Sequence, residues 1–343
     1  LTVVEEEPKA PSVAKQWQQE LKKFEKPSVP KAVWQLVNTF VPYIGLWILM
    51  AYMINTGVSY WLTLCIMPLA AGLLVRIFIF FHDCGHDCFL PSRQANRIVG
   101  IITGILTFTP FDDWKRQHAL HHAGSGNLER RGAGDVWTMT VEEYLAAPPK
   151  KKLGYRVFRN PFVLLIFGPF YMFFISQRFS HEASGTRGRN SVLITNLAIL
   201  GMALLSFKTI GLSTFLLIQV PVLGMAGAIG IWLFYVQHQY EEAYWEHNED
   251  WDPVASALQG SSYYKLPKIL QWFSGNIGLH HIHHLRARIP NYNLQACYDA
   301  VPAMQDVEPL TLWASFRCLY LHLWDESTKQ MVSFRSLKSY SST

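Results

Sequence analysis

The run YWLTLCIMPLAAGLLVRIFIFFHDCGH, residues 60–86, decides how the rest of the chain is read. From Tyr60 to Phe81 it carries a single cation, Arg76, and the first acid is Asp83. An α-helix rises about 1.5 Å per residue, so roughly 20 such residues cross the ~30 Å hydrocarbon core of a bilayer. Tyr60–Phe81 therefore reads as a transmembrane helix, and where it leaves the lipid it delivers His82 and His86. On a helix these two lie one turn apart on one face, the spacing at which two imidazoles can share a metal ion.

A second apolar run, about Ala32–Ile54, comes just before, and the short turn Asn55-Thr56-Gly57 can only return the chain. The pair predicts a transmembrane hairpin. Two more spans are expected at about 190–208 and 213–236, separated from the first hairpin by a mostly polar stretch. The composition agrees: 50% apolar, 14% aromatic and only 16% charged, against about a quarter charged in soluble proteins. The fold class is thus an all-α membrane protein with four transmembrane helices. Residues 1–31 form an N-terminal tail, helical around Val13–Phe24. Residues 32–343 form the membrane domain, whose cap is built from 82–189 and 237–343.

Orientation follows from the loops. The connections 55–59 and 208–212 hold one Lys or Arg between them, Lys208, whereas residues 1–31 hold six and 82–190 hold fourteen. The positive-inside rule then puts both termini and the central segment in the cytoplasm. A net charge of +5 belongs to loops at a lipid surface, and no nucleic-acid partner is expected. The tail has no apolar signal-peptide core, so the internal spans must direct insertion. Five cysteines (Cys65, Cys84, Cys88, Cys297, Cys318) form no spaced framework and read as reduced thiols. Phe158–Phe179 is long enough to span, but a single crossing there would put the histidines before it and those near 280 on opposite faces. It is expected to lie in the interface or dip into one leaflet, anchored by Arg156, Arg159 and Arg178, and Ile98–Phe111 is read the same way.

Most of the thirteen histidines are clustered. After His82-Asp83-Cys84-Gly85-His86 come His118-Ala119-Leu120-His121-His122 and His280-His281-Ile282-His283-His284, the last two with spacing i, i+3, i+4. Lone histidines are usually surface or satisfied core residues, and His181, His247 and His322 are read that way. Three clusters on one predicted face are a metal site. Imidazole suits Zn, Cu, Fe and Ni, and His82, His86, His118, His121, His122, His280, His283 and His284 exceed what one ion needs. Cys84 and Cys88 are offset from His82 and His86 and read as packing residues. Zinc has no redox chemistry, whereas two irons with open positions can activate dioxygen.

In order and spacing these boxes resemble those of the membrane fatty-acid desaturases. Phe81-His82-Asp83-Cys84-Gly85-His86, His122-Ala123-Gly124-Ser125-Gly126-Asn127-Leu128 and Gly134-Asp135-Val136-Trp137-Thr138 look most like the bacterial acyl-lipid members. The resemblance covers about residues 40–325. It implies four spans, a cytoplasmic helical cap holding two iron ions (Fe2+), and O2-dependent insertion of a double bond into a fatty-acyl chain. It also implies a further ligand at the end of the fourth span, where His238 stands; His281 is left outside. Metal-bound histidines commonly donate their other N–H to a carboxylate or carbonyl, and Asp83, Asp87, Asp112, Asp113, Asp135, Glu241 and Glu242 are candidates.

An apolar tunnel is expected near the boxes, lined by aromatics such as Phe78, Phe81, Trp114, Trp232, Phe234 and Trp272. The chain has no His-Pro-Gly-Gly haem signature, no cysteine cluster and no G-x-G-x-x-G fingerprint. A ferredoxin-like or cytochrome electron donor is therefore implied, alongside a membrane lipid or other acyl substrate. Lys115, Arg116, Arg130, Arg131 and Lys150–Lys152 could dock that donor or sit on anionic headgroups. The rival readings are a hydroxylase or carotenoid ketolase or hydroxylase on the same scaffold and, from another class, a haem or metal-transport membrane protein. The site is expected on the cytoplasmic side of the membrane, the inner membrane if the source is bacterial.

Overall fold

The structure, a computed structural model, describes residue 17 and residues 19–132, 134–181 and 184–340. The part of the expected tail helix at 13–16 and 18 lies outside the described residues; from 19 the chain is helical to Glu25. The helices that position the site are α1 (Val29–Asn55), α2 (Tyr60–Gly85), α3 (Arg93–Leu106), α4 (Phe111–Gly124), α5 (Pro149–Phe158), α6 (Gly185–Thr209), α7 (Leu212–His238), α8 (Lys268–Phe273) and α9 (His280–Leu285). Four of them, α1, α2, α6 and α7, are long and apolar enough to cross a membrane.

Of these, α2 is the central one: 67% of its apolar window is buried, against 17% for α6. Side chains such as Trp34, Val41 and Ile48 of α1, and Leu197 and Leu204 of α6, point outward, as lipid-facing residues do. Without a hydrophobic force between helices in lipid, close backbone approach supplies the packing. Gly227 of α7 shows this: a Cβ there would sit 2.8 Å from the Phe173 ring and 2.9 Å from Pro169.

Phe173 and Pro169 belong to the segment expected to stay in one leaflet. It follows α5 as a helix of mixed pitch over Val163–Arg178, bent by 64° at the break, and packs on α7. The three arginines do anchor it, but through protein groups. Arg156 Nε donates to Tyr144 Oη (2.6 Å), buried Arg159 donates to Tyr235 Oη, Gln239 Oε1 and Leu321 O, and Arg178 donates to Asn196 Oδ1 and the Phe108 carbonyl.

The region after α7 departs from the expected helical, polar-faced cap. Strands β1 (Met139–Thr140), β2 (Tyr263–Lys265), β3 (Pro309–Thr311), β4 (Leu323–Asp325) and β5 (Gln330–Val332) tie it together. β1 pairs parallel to β4 (Met139 with Leu323), β4 antiparallel to β5 (Leu323 with Val332), and β2 parallel to β3 (Tyr263 with Pro309). Strands of two or three residues leave too little alternation to be read from sequence. Nor does this region stay beyond the end of the candidate span α2. Phe273 of α8 packs on Gly72 of α2, ten residues or about 15 Å below His82 along the helix. Exposed Ile269, Trp313 and Tyr320 lie on α8 and the segment after β3.

Replacing Gly227 by Leu is expected to push the Val163–Arg178 segment off α7 and destabilise the fold by about 1–3 kcal/mol. Thermal unfolding in detergent checks this. Gly201→Leu on α6, where the new Cβ would meet nothing within 4 Å, should leave the melting temperature unchanged.

Candidate metal centre

Each histidine cluster sits at the end of an element that the fold aims at one point. α2 continues past the expected span end to Gly85, so His82 is helical and His86 follows as its C-cap. α4 crosses beside it; a Cβ at Gly85 would stand 2.8 Å from the Trp114 ring, so only glycine admits α4 this close. The Trp114 ring in turn stacks on His118 at 4.3 Å. His238 ends α7, and α9 carries the third cluster.

All nine histidines singled out in the sequence come together, in two adjacent groups. One contains His82, His86, His118, His122 and His283; the other contains His121, His238, His280 and His284, and in each the nitrogens lie within 4.8 Å of one another. The i and i+4 members of a box stay together, as His82 with His86, His118 with His122 and His280 with His284. The i+3 members, His121 and His283, cross to the opposite group. The H-x-x-H-H spacing thus serves two centres from one helix, which refines the expectation of a single shared face. The groups touch where His122 stacks on His284, ring centroids 4.2 Å apart.

The donor geometry fits metal ions. His82 Nδ1 lies 3.2 Å from Asp83 Oδ1, His121 Nδ1 bonds Asp135, and His238 Nδ1 lies 3.0 Å from the Gly260 carbonyl. Those bonds place the proton on Nδ1 and leave the Nε2 lone pair facing inward. Inside, Nε2 of His122 is 3.1 Å from that of His118 and 3.0 Å from that of His283, and the His238 and His280 pair is likewise 3.0 Å apart. Nε2 of His86, His121 and His284 is buried without any hydrogen-bond partner. Buried polar nitrogens are normally satisfied, and a cation at each focus would satisfy these.

Burial first, and neighbouring imidazoles second, push His86, His118, His122, His280, His283 and His284 well below the usual imidazole range. These rings stay neutral in the folded chain, in the form that binds metal.

Of the candidate carboxylates, Asp83 and Asp135 reach the clusters. Asp87 instead pairs with Lys115 (2.7 Å), Asp112 with Arg97 (2.8 Å) and Asp113 with His181 (2.7 Å). The Gly260 carbonyl was not legible, since a backbone acceptor carries no side-chain signal. The lone histidines stand apart: His247 bridges Glu129 and Glu326, and His322 stacks on Phe334. His281 turns away to the Met304 carbonyl (3.0 Å). Cys84 and Cys88 are buried outside both groups, Cys84 among Phe80, Phe81 and Phe111.

A cavity of about 450 Å³ opens beside His82, His118 and His280 and runs between α2, α7 and the bent segment. Its walls are largely aliphatic and aromatic, with Phe78, Trp114 and Phe234 among them as expected. The other three aromatics do not line it. Phe81 packs edge-on to Phe111, Trp232 donates to Tyr264 Oη (3.2 Å), and Trp272 lies under the Arg76 guanidinium at 4.1 Å. Along α7 the lining recurs as Leu223, Ala226, Gly227, Gly230, Ile231, Leu233, Phe234 and Gln237, a stretch of about 21 Å along the helix.

Four candidate spans, paired imidazole clusters and an adjoining apolar cavity define a membrane protein of the histidine-rich metal-site class. The family model for fatty acid desaturase matches residues 59–316, and the chain belongs to that family, whose members are oxidoreductases that desaturate fatty acids. It is 46% identical over 324 residues to a fatty acid desaturase of Bacillus subtilis (strain 168), covering 94% of this chain and 92% of that protein. It is 28% identical to an sn-1 oleoyl-lipid 12-desaturase of Synechocystis sp. (66% of this chain, 65% of that protein). A likeness of 27% links it to an sn-1 acyl-lipid omega-3 desaturase (ferredoxin) of Nostoc sp. (86% and 83%).

The depressed imidazole values fix the sign of an acid effect. Below pH 6.5, the ordinary histidine value, the unfolded chain takes up protons that the folded chain refuses, so stability falls with pH. The metal-free protein should therefore melt at a steady temperature from about pH 8 to about 6.5 and at progressively lower ones below. A melting temperature that holds level down to about pH 5 would contradict it.

Proposed function

We propose that the two histidine groups hold two iron ions and that the cavity holds the acyl chain of a membrane lipid, whose saturated bond is converted to a double bond with O2 as co-substrate. The supporting observation is the meeting of nine imidazoles, three of them with an unpartnered Nε2, at the head of an apolar cavity. Bound there, iron supplies the redox chemistry with dioxygen by which two neighbouring C–H bonds are broken; the remaining work belongs to the chain. His82, His86, His118, His122 and His283 hold one ion, and His121, His238, His280 and His284 the other. Asp83 orients His82 and is itself held by the Asn291 backbone N–H (2.7 Å) and Nδ2 (2.9 Å). Asp135 does the same for His121. The walls exclude water and fix one methylene pair at the His82, His118 and His280 end, where an ångström of misplacement is costly.

Reduction of O2 to two waters takes four electrons, and the new double bond supplies two. The other two come from an external carrier, ferredoxin-like or a cytochrome, docking on the cytoplasmic face that the loop charges assign. Of the basic groups expected there, Lys115 and Arg131 are committed to Asp87 and Glu143, and Arg130 lies over Trp251. Arg116 is exposed on α4 close to the first histidine group. The names of the Synechocystis and Nostoc relatives favour a lipid-linked acyl substrate and, for the latter, a ferredoxin donor.

Expression in a host that lacks polyunsaturated lipids, followed by fatty-acid profiling, tests the reading. A new double bond should appear with the wild type and with the surface variant His247→Ala, and should vanish with His121→Ala. Full activity of His121→Ala would remove it from the ligand set. A cavity variant gives an independent check. Gly230 lines the cavity, and a Cβ there would meet nothing within 4 Å. Gly230→Leu should keep the melting temperature and iron content yet lower conversion of the longest chains most.

A further inference from the structure

Part of the cavity lining is polar, and the chemistry of the metal groups does not account for it. Ser176, Gln177 and His181 line it together with Thr107 from the end of α3. Gln177 is nine-tenths buried, and its Oε1 makes no hydrogen bond. His181 is fixed at both ends of its residue by one carboxylate: its backbone N–H donates to Asp113 Oδ1 (3.2 Å) and its Nδ1 lies 2.7 Å from Oδ2. Asp113 is fully buried, whereas 44% of the His181 side chain is accessible. With Nδ1 engaged, Nε2 is the edge left for a ligand. The group stands close to the metals: Asp113 and His118 are five residues apart on α4, about 7.5 Å along the axis.

We infer that Gln177 and His181 form a binding site for the ester-linked polar end of a glycerophospholipid whose acyl chain fills the rest of the cavity. This rests on the desaturase reading above and names how its substrate is held. An amide turns over readily, so the unpartnered Gln177 position can offer N–H to an ester carbonyl. A buried amide left without such a partner would cost stability, and none of the described residues bonds Gln177 Oε1. Gly188 of α6 backs directly on Asp113, and exposed Arg187 and Arg189 flank it, cations suited to a phosphodiester. Exposed Phe179, between Gln177 and His181 in the chain, and exposed Tyr171 in the cavity lining suit entry from the lipid rather than from water. An ester held here fixes how far the chain advances past His118, and so which methylene pair reaches the metals.

The test uses full-length Gln177→Leu and His181→Ala in the profiling host, with positional analysis of the new double bond and iron per chain in the purified proteins. Iron should match the wild type, conversion should fall about 5- to 30-fold, and a second positional isomer should appear. His181→Gln, which keeps a polar atom, should recover part of the single-isomer pattern. Wild-type conversion with one isomer in both variants overturns the site. Loss of iron along with activity also overturns it, because the pair would then be supporting α4 and not substrate. In a second arm, new fatty-acid synthesis is blocked. Continued appearance of double bonds in intact phospholipid supports the lipid ester, and double bonds confined to newly made thioester-linked chains reject it. Failure of the underlying reading is separately visible, since the wild type would then make no double bond at all.

Discussion

Nine imidazoles must be buried together at the edge of a membrane, and every one has two nitrogens that need a partner. That requirement organises the molecule. For His82, His121 and His238 the outward nitrogen is satisfied by a neighbouring group, which turns the other nitrogen toward the common focus. Asp83, held by Asn291, comes from the end of α2; Asp135 comes from the loop after α4; the Gly260 carbonyl comes from the segment after α7. Asp135 and the Gly260 carbonyl lie 14 and 22 residues from the rings they hold, and Asp83, next to His82, is itself fixed by Asn291, so the cap has to fold before the site is complete.

The same requirement settles the path of the chain. α4 and the end of α7 meet at the site, and between them lie the bent segment, α6 and α7. The α6–α7 hairpin crosses and returns, so a further crossing by Val163–Arg178 would separate His121 from His238, whose rings are 4.8 Å apart. A bend of 64° between α5 and this segment agrees with a path that returns to the side it came from. Buried Arg159 and half-buried Arg178 hold that turn in place. Isolated, a guanidinium in such surroundings is costly; Arg159 is acceptable because Tyr235, Gln239 and Leu321 accept its hydrogens. Arg76, the one cation in α2, is likewise spent on Thr39 (3.1 Å), the Trp272 carbonyl and the Trp272 ring. It ties α1, α2 and the C-terminal region together where α8 comes down beside the spans.

How much of this was legible in the sequence depends on the range of the interaction. Spans and histidine boxes are local patterns, with an apolar run or an i, i+3, i+4 spacing written in consecutive residues, and both read directly. Their ends shift by a few residues because helices outlast the apolar stretch: α2 reaches Gly85 and α6 begins at Gly185. The division of each H-x-x-H-H box between two groups was not legible, because it depends on how α4 and α9 face each other. The same holds for the cavity wall. Trp232 and Trp272 lie near the boxes in sequence but are claimed by Tyr264 and Arg76. Glycines and small residues on α7, silent in a search for aromatics, shape the wall instead.

That last point joins packing to function. The face of α7 that lines the cavity also receives the bent segment, and its two glycines do different work three residues apart. At Gly227 the missing side chain lets Phe173 and Pro169 close on the helix, which seals that part of the wall. At Gly230 nothing approaches, and the missing side chain leaves open space. A helix of ordinary lipid-facing composition could do neither, since a branched residue at the first site would part the wall and one at the second would fill the chamber. The cavity is therefore a product of where α7 lacks side chains. Its depth and width can change by substitution on this one face without disturbing the histidines, which sit on the helix end and on α2, α4 and α9. The histidine groups and the cavity wall are thus built from separate surfaces of the fold.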